Sequence, residues 1–227
     1  MQQNSTVIEL AIPSKRTLAS LAGAAVLILI VFQAFFGLIG LGEENSEYLP
    51  LGIAAAVSFF VITPAFVFIL APRFIDPLGT EYFPILLSWP LEIGSLFKKH
   101  LTAVMITFSA FGLLASCFAA IPSYILDRSV SLSLISAGFA FLTYLAVAAA
   151  TTISVSLGAR HHSSVVGMIL SFVIPLLLAN TFANTFKSLL LIAFVAVVFT
   201  LVIVGVCILT VVARYFNTLA TRQFGRK

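Results

Sequence analysis

Charged residues are scarce in this sequence. Only 9% of the 227 residues are Asp, Glu, Lys or Arg, while 61% are hydrophobic; soluble domains are about a quarter charged. A soluble fold of this size would leave much of that apolar surface in water, because small domains bury a limited share of their surface. The composition therefore excludes a water-soluble domain and indicates an integral membrane protein.

The few charges divide the chain into long uncharged runs. A helix needs about 20 apolar residues to cross the hydrocarbon core of a bilayer, whereas a transmembrane barrel would show alternating segments of about ten residues. We therefore predict an all-α integral membrane protein with six transmembrane helices, folded as one domain over residues 1–227. The six runs are 17–42, 48–72, 100–126, 129–159, 161–186 and 188–213.

Motifs for catalysis and cofactor binding are also lacking. The sequence has no HExxH, no cysteine pair at metal-binding spacing and no glycine-rich phosphate loop. No charged residue falls near the middle of a run, where pumps and transporters keep their ion-coupling groups. Cys117 and Cys207 lie inside apolar runs, and we interpret them as small buried residues. We predict a non-catalytic subunit without metal or cofactor, which takes its energy from a partner.

Basic residues are unevenly distributed between the two sides of the predicted helices. Ten of the twelve Lys and Arg residues fall in the N-terminal segment, the second loop, the fourth loop and the C-terminal tail. Only Arg128 and Lys187 fall in the other loops. Because cytoplasmic loops collect Lys and Arg, we predict that both termini are cytoplasmic. This segregation accounts for the net charge of +4, which does not indicate nucleic-acid binding.

The predicted second loop concentrates charge between two uncharged runs. Residues 73–101 read RFIDPLGTEYFPILLSWPLEIGSLFKKHL. We predict a cytoplasmic coupling loop over 73–99 with a short docking helix, in which apolar side chains fill a cleft on a partner and charges fix the register. The alternative is an interfacial helix whose charges lie among headgroups. The six charged residues are Arg73, Asp76, Glu81, Glu92, Lys98 and Lys99.

The loop resembles the cytoplasmic loop of permease subunits of type-2 ABC exporters. Length, six runs and the Pro-Leu-rich fifth run also make the chain similar to the cytochrome c maturation protein B family, or haem exporter protein B. The resemblance is carried by Arg73, Asp76, Gly79, Glu81, Leu86, Leu87, Ser88, Pro90 and Lys99. It implies a permease of the bacterial inner membrane that handles haem for c-type cytochrome biogenesis. An ABC-type ATPase and other haem-handling membrane proteins would be its partners. Docking of the ATPase is expected at Asp76, Gly79, Glu81, Leu86, Leu87 and Pro90.

Three further features of the sequence each allow two interpretations, and the function has an alternative as well. Residues 1–16 predict either an interfacial helix or a frayed terminus. His161 and His162 suit a solvated, weakly basic loop, with metal binding as the alternative. The small residues of YLAVAAATTISVSLGA suit internal helix packing or the approach of a second copy in a homodimer. The alternative function is a structural membrane subunit of a respiratory or other assembly.

Overall fold

The computed structural model describes about half of the chain, and the described part is helical. It covers residues 59–71, 75, 94–95, 97–99, 101–106, 109–110, 112–113, 116–117, 130–185 and 191–224. Every position in these ranges is helical except the turn at 161–163, and none is in a strand. The first predicted crossing, the segment 1–16 and all six predicted docking residues lie outside the described residues.

Within the described ranges, four continuous helices are longer than ten residues. They are α1 (Phe59–Ala71), α2 (Val130–Arg160), α3 (Ser164–Thr185) and α4 (Leu191–Phe224). The described helical positions between 94 and 117 are called the 94–117 segment. Within the described ranges, two helices are long and apolar enough to cross a membrane, over Ala140–Arg160 of α2 and Val195–Leu219 of α4. The all-helical class is thus as predicted.

The ends of the uncharged runs match some helix ends closely and fall short of one. The bounds of α2 and α3 lie within three residues of the runs 129–159 and 161–186. Helix α4 is longer than its run: it continues eleven residues past the run's end at 213 and includes Arg214 and Arg222. Arginine is a good helix former, so a charge that ends an apolar run need not end the helix.

Contacts show that α2 and α4 run parallel. At mid-helix, a Cβ added to Gly205 of α4 would lie 3.5 Å from the carbonyl oxygen of Ala149 in α2. Beyond the end of α2, the ring of His162 lies 6.2 Å from the ring of Phe216, between centroids. Moving along the chain from Ala149 to His162 therefore corresponds to moving from Gly205 to Phe216, so the two helices point the same way.

The remaining elements run antiparallel to their neighbours. Phe68 near the end of α1 packs edge-to-face on Phe172 of α3, with ring centroids 6.0 Å apart. In the 94–117 segment, Gly94 lies against Ala213 near the end of α4, whereas Gly112 lies against Tyr144, much earlier in α2. The described elements therefore alternate in direction along the chain. At one end of the bundle lie the C-terminal ends of α1, α2 and α4, together with the N-terminal ends of α3 and the 94–117 segment. We call it the basic end.

Helix α2 is the centre of the bundle. It packs extensively on both α3 and α4, which contact each other little. Every side chain from 146 to 156 is buried, and most are Ala, Ser or Thr. Small side chains let neighbouring helices approach closely. The small-residue stretch is thus used for packing inside the chain, and a homodimer through another face stays a prediction.

Candidate functional site

Four cationic side chains converge on the basic end from three helical elements. Lys98 and Lys99 stand near the start of the 94–117 segment, Arg160 is the last residue of α2, and Arg214 lies near the end of α4. All four are exposed, as is His161 in the turn after α2. The described ranges contain no Asp or Glu, so their own residues offer these cations no carboxylate. As far as the described residues go, this end of the bundle is an exposed cationic surface.

The turn between α2 and α3 has the hydrogen bonds of a Schellman motif. The His162 N–H donates to the Ala159 carbonyl at 3.1 Å, and the Ser163 N–H donates to the Gly158 carbonyl at 3.0 Å. The motif requires a residue with positive φ, usually Gly, and here it is His162 with φ 52°. Left-handed backbone costs a non-glycine residue roughly 1–2 kcal/mol. The three-residue turn therefore holds a strained histidine.

An aromatic cluster joins this turn to the rest of the basic end. Phe216 is fully buried in α4, and its ring centroid lies 5.6 Å from that of Phe97 and 6.2 Å from that of His162. Both contacts are edge-to-face, a favoured geometry that contributes about 0.5–1.5 kcal/mol per aromatic pair. The cluster links α4, the 94–117 segment and the α2–α3 turn, and it fixes the helices that carry the cationic side chains.

Ile75, on the N-terminal flank of the predicted docking helix, is held in the α2–α3 crossing. It is fully buried. A Cβ added to Gly158 of α2 would lie 2.6 Å from its Cδ1 atom, and one added to Gly167 of α3 would lie 3.2 Å from the same atom. A Cβ at Gly158 would therefore force Ile75 or the facing helix to shift, and a Cβ at Gly167 would make an unusually tight contact with the isoleucine. Ile75 thus fills the space between two helices.

Gly94, on the C-terminal flank, is held against α4. Its backbone N–H donates a hydrogen bond of 3.0 Å to Oδ1 of Asn217. A Cβ at this position would overlap the carbonyl oxygen of Ala213, so the close approach of the two backbones requires glycine. The two flanks of residues 76–93 are therefore attached to α2, α3 and α4, all at the basic end.

The predicted site residues divide by where they lie. Docking at Asp76, Gly79, Glu81, Leu86, Leu87 and Pro90 stays a prediction, because these positions lie between the described flanks and outside the described residues. His161 is exposed, as expected for a residue in a solvated loop. His162 instead packs on Phe216. Among the described residues, no three His, Cys, Asp or Glu side chains are grouped to hold a metal.

The cysteine interpretation needs correction. Cys117 and Cys207 are free, but both are exposed and neither is a buried packing residue. An apolar run predicts that a residue lies within the hydrocarbon depth, and it does not distinguish the interior of the bundle from the face outside. The partly polar α2, not the apolar α4, is the buried helix here.

The contacts that hold the flanks were missed by sequence reasoning. The signal was the glycines: Gly158 and Gly167 stand on either side of the turn after α2, and Gly94 follows the predicted docking helix. Glycine within a helix is unfavourable by about 1 kcal/mol. Glycines near several helix ends on one side of the predicted membrane therefore mark places where another segment of the chain could approach the helix backbone closely.

Compared with protein-family models, with curated proteins and with solved structures, the chain has no match. Its function must therefore be inferred from the geometry of the basic end and from the sequence.

Proposed function

We propose that this chain is a multi-pass permease subunit of an ABC transporter complex, with residues 73–99 as the coupling loop for a separate ATPase subunit. The attachment of both loop flanks carries the proposal: Ile75 between α2 and α3, and Gly94 on α4. A loop that only lay among headgroups would need no such attachment. A loop that transmits the movement of an ATPase to the membrane helices needs both flanks to be attached to those helices.

The two attachments give a physical route for the energy of a partner. Protein interiors are close-packed and transmit strain. Displacement of the docking helix by an ATPase would move Ile75 and Gly94, and through them the α2–α3 crossing and the end of α4. Rigid-body shifts of packed helices are a common form of conformational switching. In this mechanism the chain has no catalytic residue, and hydrolysis of ATP belongs to the partner.

The basic end supports placing the coupling loop in the cytoplasm. Lys98, Lys99, Arg160 and Arg214 lie at the same end as the loop flanks, and cytoplasmic ends of membrane proteins collect such residues. The proposal then has six crossings, both termini inside and a bacterial inner membrane as location. Haem handling for c-type cytochromes, with further haem-handling proteins as partners, rests on the family resemblance alone.

Two loop variants test the docking helix. Glu81→Lys reverses a charge that sets register, and Leu86→Asp places a carboxylate in an apolar cleft. Breaking a buried partner contact in this way costs several kcal/mol, which lowers affinity about a thousandfold. We expect the ATPase to be lost from the detergent-solubilised complex, measured by copurification and mass spectrometry, while membrane levels of this chain stay normal.

Glu44→Lys is the matched control, because it makes the same charge change in the first loop, on the predicted far side. It should retain the ATPase. Retention by both loop variants at the wild-type level would contradict the docking assignment. Copurification of the wild-type chain with electron-transfer or synthase subunits, and no ATPase, would favour the structural-subunit alternative.

A further inference from the structure

We propose that the crossing of α1, α2 and α3 binds water near the middle of the membrane, and that the side chain of Ile75 closes this water site at the basic end. The water site consists of the hydroxyls of Thr63, Thr151 and Ser154 and the backbone carbonyl of Ser171. These groups come from three helices, and they are buried without the hydrogen bonds that comparable groups nearby make.

On α2 and α3, the water site lies one turn deeper than a close contact at Gly167. A Cβ added to Gly167 would lie 3.2 Å from the carbonyl oxygen of Ser154, so these two residues are on facing sides of the two helices. Thr151 is three residues before Ser154, and Ser171 is four residues after Gly167. Such spacings keep residues on one face of a helix. Since α2 and α3 are antiparallel, both steps lead away from the basic end and bring Thr151 and Ser171 to the same level.

Helix α1 adds Thr63 to this region. The same Cβ position on Gly167 lies 3.8 Å from the Cβ of Ala71, and Thr63 is eight residues before Ala71 on the same stripe of α1. The site is deep, because Thr151 is nine residues before Arg160, or about 14 Å along the helix. That distance is close to half of the roughly 30 Å hydrocarbon core.

The hydroxyls of the water site are buried and unsatisfied. Thr63, Thr151 and Ser154 are at most 2% exposed, and their hydroxyls have no hydrogen-bond partner in the described part of the chain. Thr152 and Ser171 are equally buried, and they donate to carbonyls of their own helices at 2.8 and 2.6 Å. A buried hydroxyl without a partner is unfavourable, so a further partner is expected for these three.

A buried proline supplies the acceptor of the site. Pro175 of α3 is buried and has no N–H, so the Ser171 carbonyl lacks the donor that it would have in a regular helix. The site thus combines one carbonyl with three hydroxyls that can donate or accept. Buried water makes about three hydrogen bonds to groups of this kind. A divalent cation would need about six oxygens, carboxylates among them, and the described residues include no Asp or Glu. Water is therefore the ligand that fits.

Ile75 lies between the water site and the basic end. It is fully buried, and its Cδ1 atom is 3.2 Å from the Cβ position on Gly167, the same position that contacts Ser154. Apolar constrictions of this kind exclude water from pathways in membrane proteins. Ile75 directly precedes the predicted docking residue Asp76, so movement of the coupling loop would displace it and open the site to the cytoplasm. This last step rests on the proposed function, whereas the site and its closure do not.

Replacing a hydroxyl by an apolar group of the same shape tests for bound water. We expect Thr151→Val to raise the unfolding equilibrium constant about fivefold in a graded detergent titration, because the water loses a typical hydrogen bond. In a dry site the same change would lower the constant, because it would remove a buried group that has no partner. Thr152→Val is the matched control, since the Thr152 hydroxyl bonds within its own helix.

A shared water also couples residues on different helices. The first substitution already releases the water, so Thr63→Val and Thr151→Val together should destabilise less than the product of their single effects. We expect this difference to be at least about twofold in the unfolding equilibrium constant. Thr63→Val combined with Thr152→Val should give the plain product.

The closure by Ile75 is tested with a thiol introduced in the site and 2-aminoethyl methanethiosulfonate. Cys117→Ala and Cys207→Ala remove the native thiols, and Ser154→Cys introduces the new one. We expect Ile75→Ala to speed its labelling about tenfold or more, because a thiol reacts as the thiolate, which forms poorly in apolar surroundings. Ile75→Val should leave the rate nearly unchanged, as measured by the mass of the intact chain. Ser156→Cys, equally buried on another side of α2, is the control and should not respond to Ile75→Ala.

Stabilisation by Thr151→Val would overturn the water site, as would a plain product of effects in the Thr63 and Thr151 pair. An unchanged labelling rate of Ser154→Cys in the Ile75→Ala variant, or equal acceleration of Ser156→Cys, would overturn the closure. All of these variants are measured in the full-length chain without an ATPase. A dry site would thus leave the docking proposal standing, and failure of the ATPase to dock would leave the water site standing.

Discussion

Helices α2 and α4 run parallel in the same bundle and differ sharply in their surroundings. In the most apolar stretch of α2, 83% of the residues are buried, against 28% in α4, although α4 has the higher mean hydropathy. In water the more apolar helix would be the buried one. In a bilayer, exposed apolar side chains meet equally apolar lipid, and small residues determine which helices approach each other. The inverted order is the one that a bilayer around the described helices would produce.

The polar side chains of α2 are also small, which suits them to close helix packing. Thr152 donates a hydrogen bond of 2.8 Å to the Ala148 carbonyl of its own helix, as Thr200 does on α4 to Ala196. The hydroxyls of Thr151, Ser154 and Ser156 are buried and have no hydrogen-bond partner in the described part of the structure. Hydroxyls of this size fit at close helix contacts, where the longer side chains of α4 would not.

A charge on the exposed face of α4 gives the largest expected effect. Ile203 is 61% exposed and lies near the middle of the apolar stretch. We expect Ile203→Asp to oppose membrane insertion by about 2.5–3.5 kcal/mol, which would lower the inserted fraction in a glycosylation-mapping assay. The control Ile203→Phe should insert normally. Equal insertion of both variants would mean that this face of α4 does not meet lipid, and the comparison with α2 would fail.

Replacing one glycine by alanine in each helix tests the difference in packing between α2 and α4, with a smaller expected effect. In α2, Gly158→Ala places a Cβ 3.0 Å from the Cα of Gly167 and 2.6 Å from Ile75. Overpacking of this kind costs about 1–3 kcal/mol. In α4, the nearest atom to a Cβ at Gly205 is 3.5 Å away, an ordinary contact. Unfolding in a graded detergent titration should therefore show Gly158→Ala destabilised and Gly205→Ala close to wild type. Equal stability would contradict the tight crossing.

The smallest expected effect concerns His162, which links the end of α2 to α4. Gly at this position relieves left-handed strain of roughly 1–2 kcal/mol and loses a ring contact of about 0.5–1.5 kcal/mol, so the two changes nearly cancel. Ala loses the ring and keeps the strain. We expect His162→Gly to unfold near the wild-type midpoint and His162→Ala to be less stable by about 1 kcal/mol. If Ala were the more stable of the two, the left-handed backbone at this position would carry no strain; if Ala matched the wild type, the ring contact with Phe216 would carry no weight.

The sequence predicted what depends on the solvent and left open what depends on packing. Uncharged runs located α2 and α3 because a bilayer penalises charge whatever the neighbours are. Helix α4 continues past the end of its run at 213, because Arg214 can lie at the interface without ending the helix. The αL position of His162 had no signal, since Gly or Asn usually occupies it.

Contacts at the site were beyond sequence reasoning for a different reason. Nothing in the residue pattern determines that Ile75 fits between Gly158 and Gly167, or that Asn217 accepts from Gly94. These pairings depend on how helices distant in the chain cross. The predicted docking residues between the two flanks stay a prediction.

The parallel pairing of α2 with α4 has a consequence during synthesis. Ala149 and Gly205 are in contact but stand 56 positions apart in the chain, and α3 must be made between them. At about 5–20 residues per second, the ribosome needs roughly 3–11 seconds to deliver Gly205 after Ala149. Throughout that interval the central helix lacks one of its two main neighbours and must wait beside the insertion machinery. A chaperone of membrane insertion would cover the open face of this helix until α4 arrives.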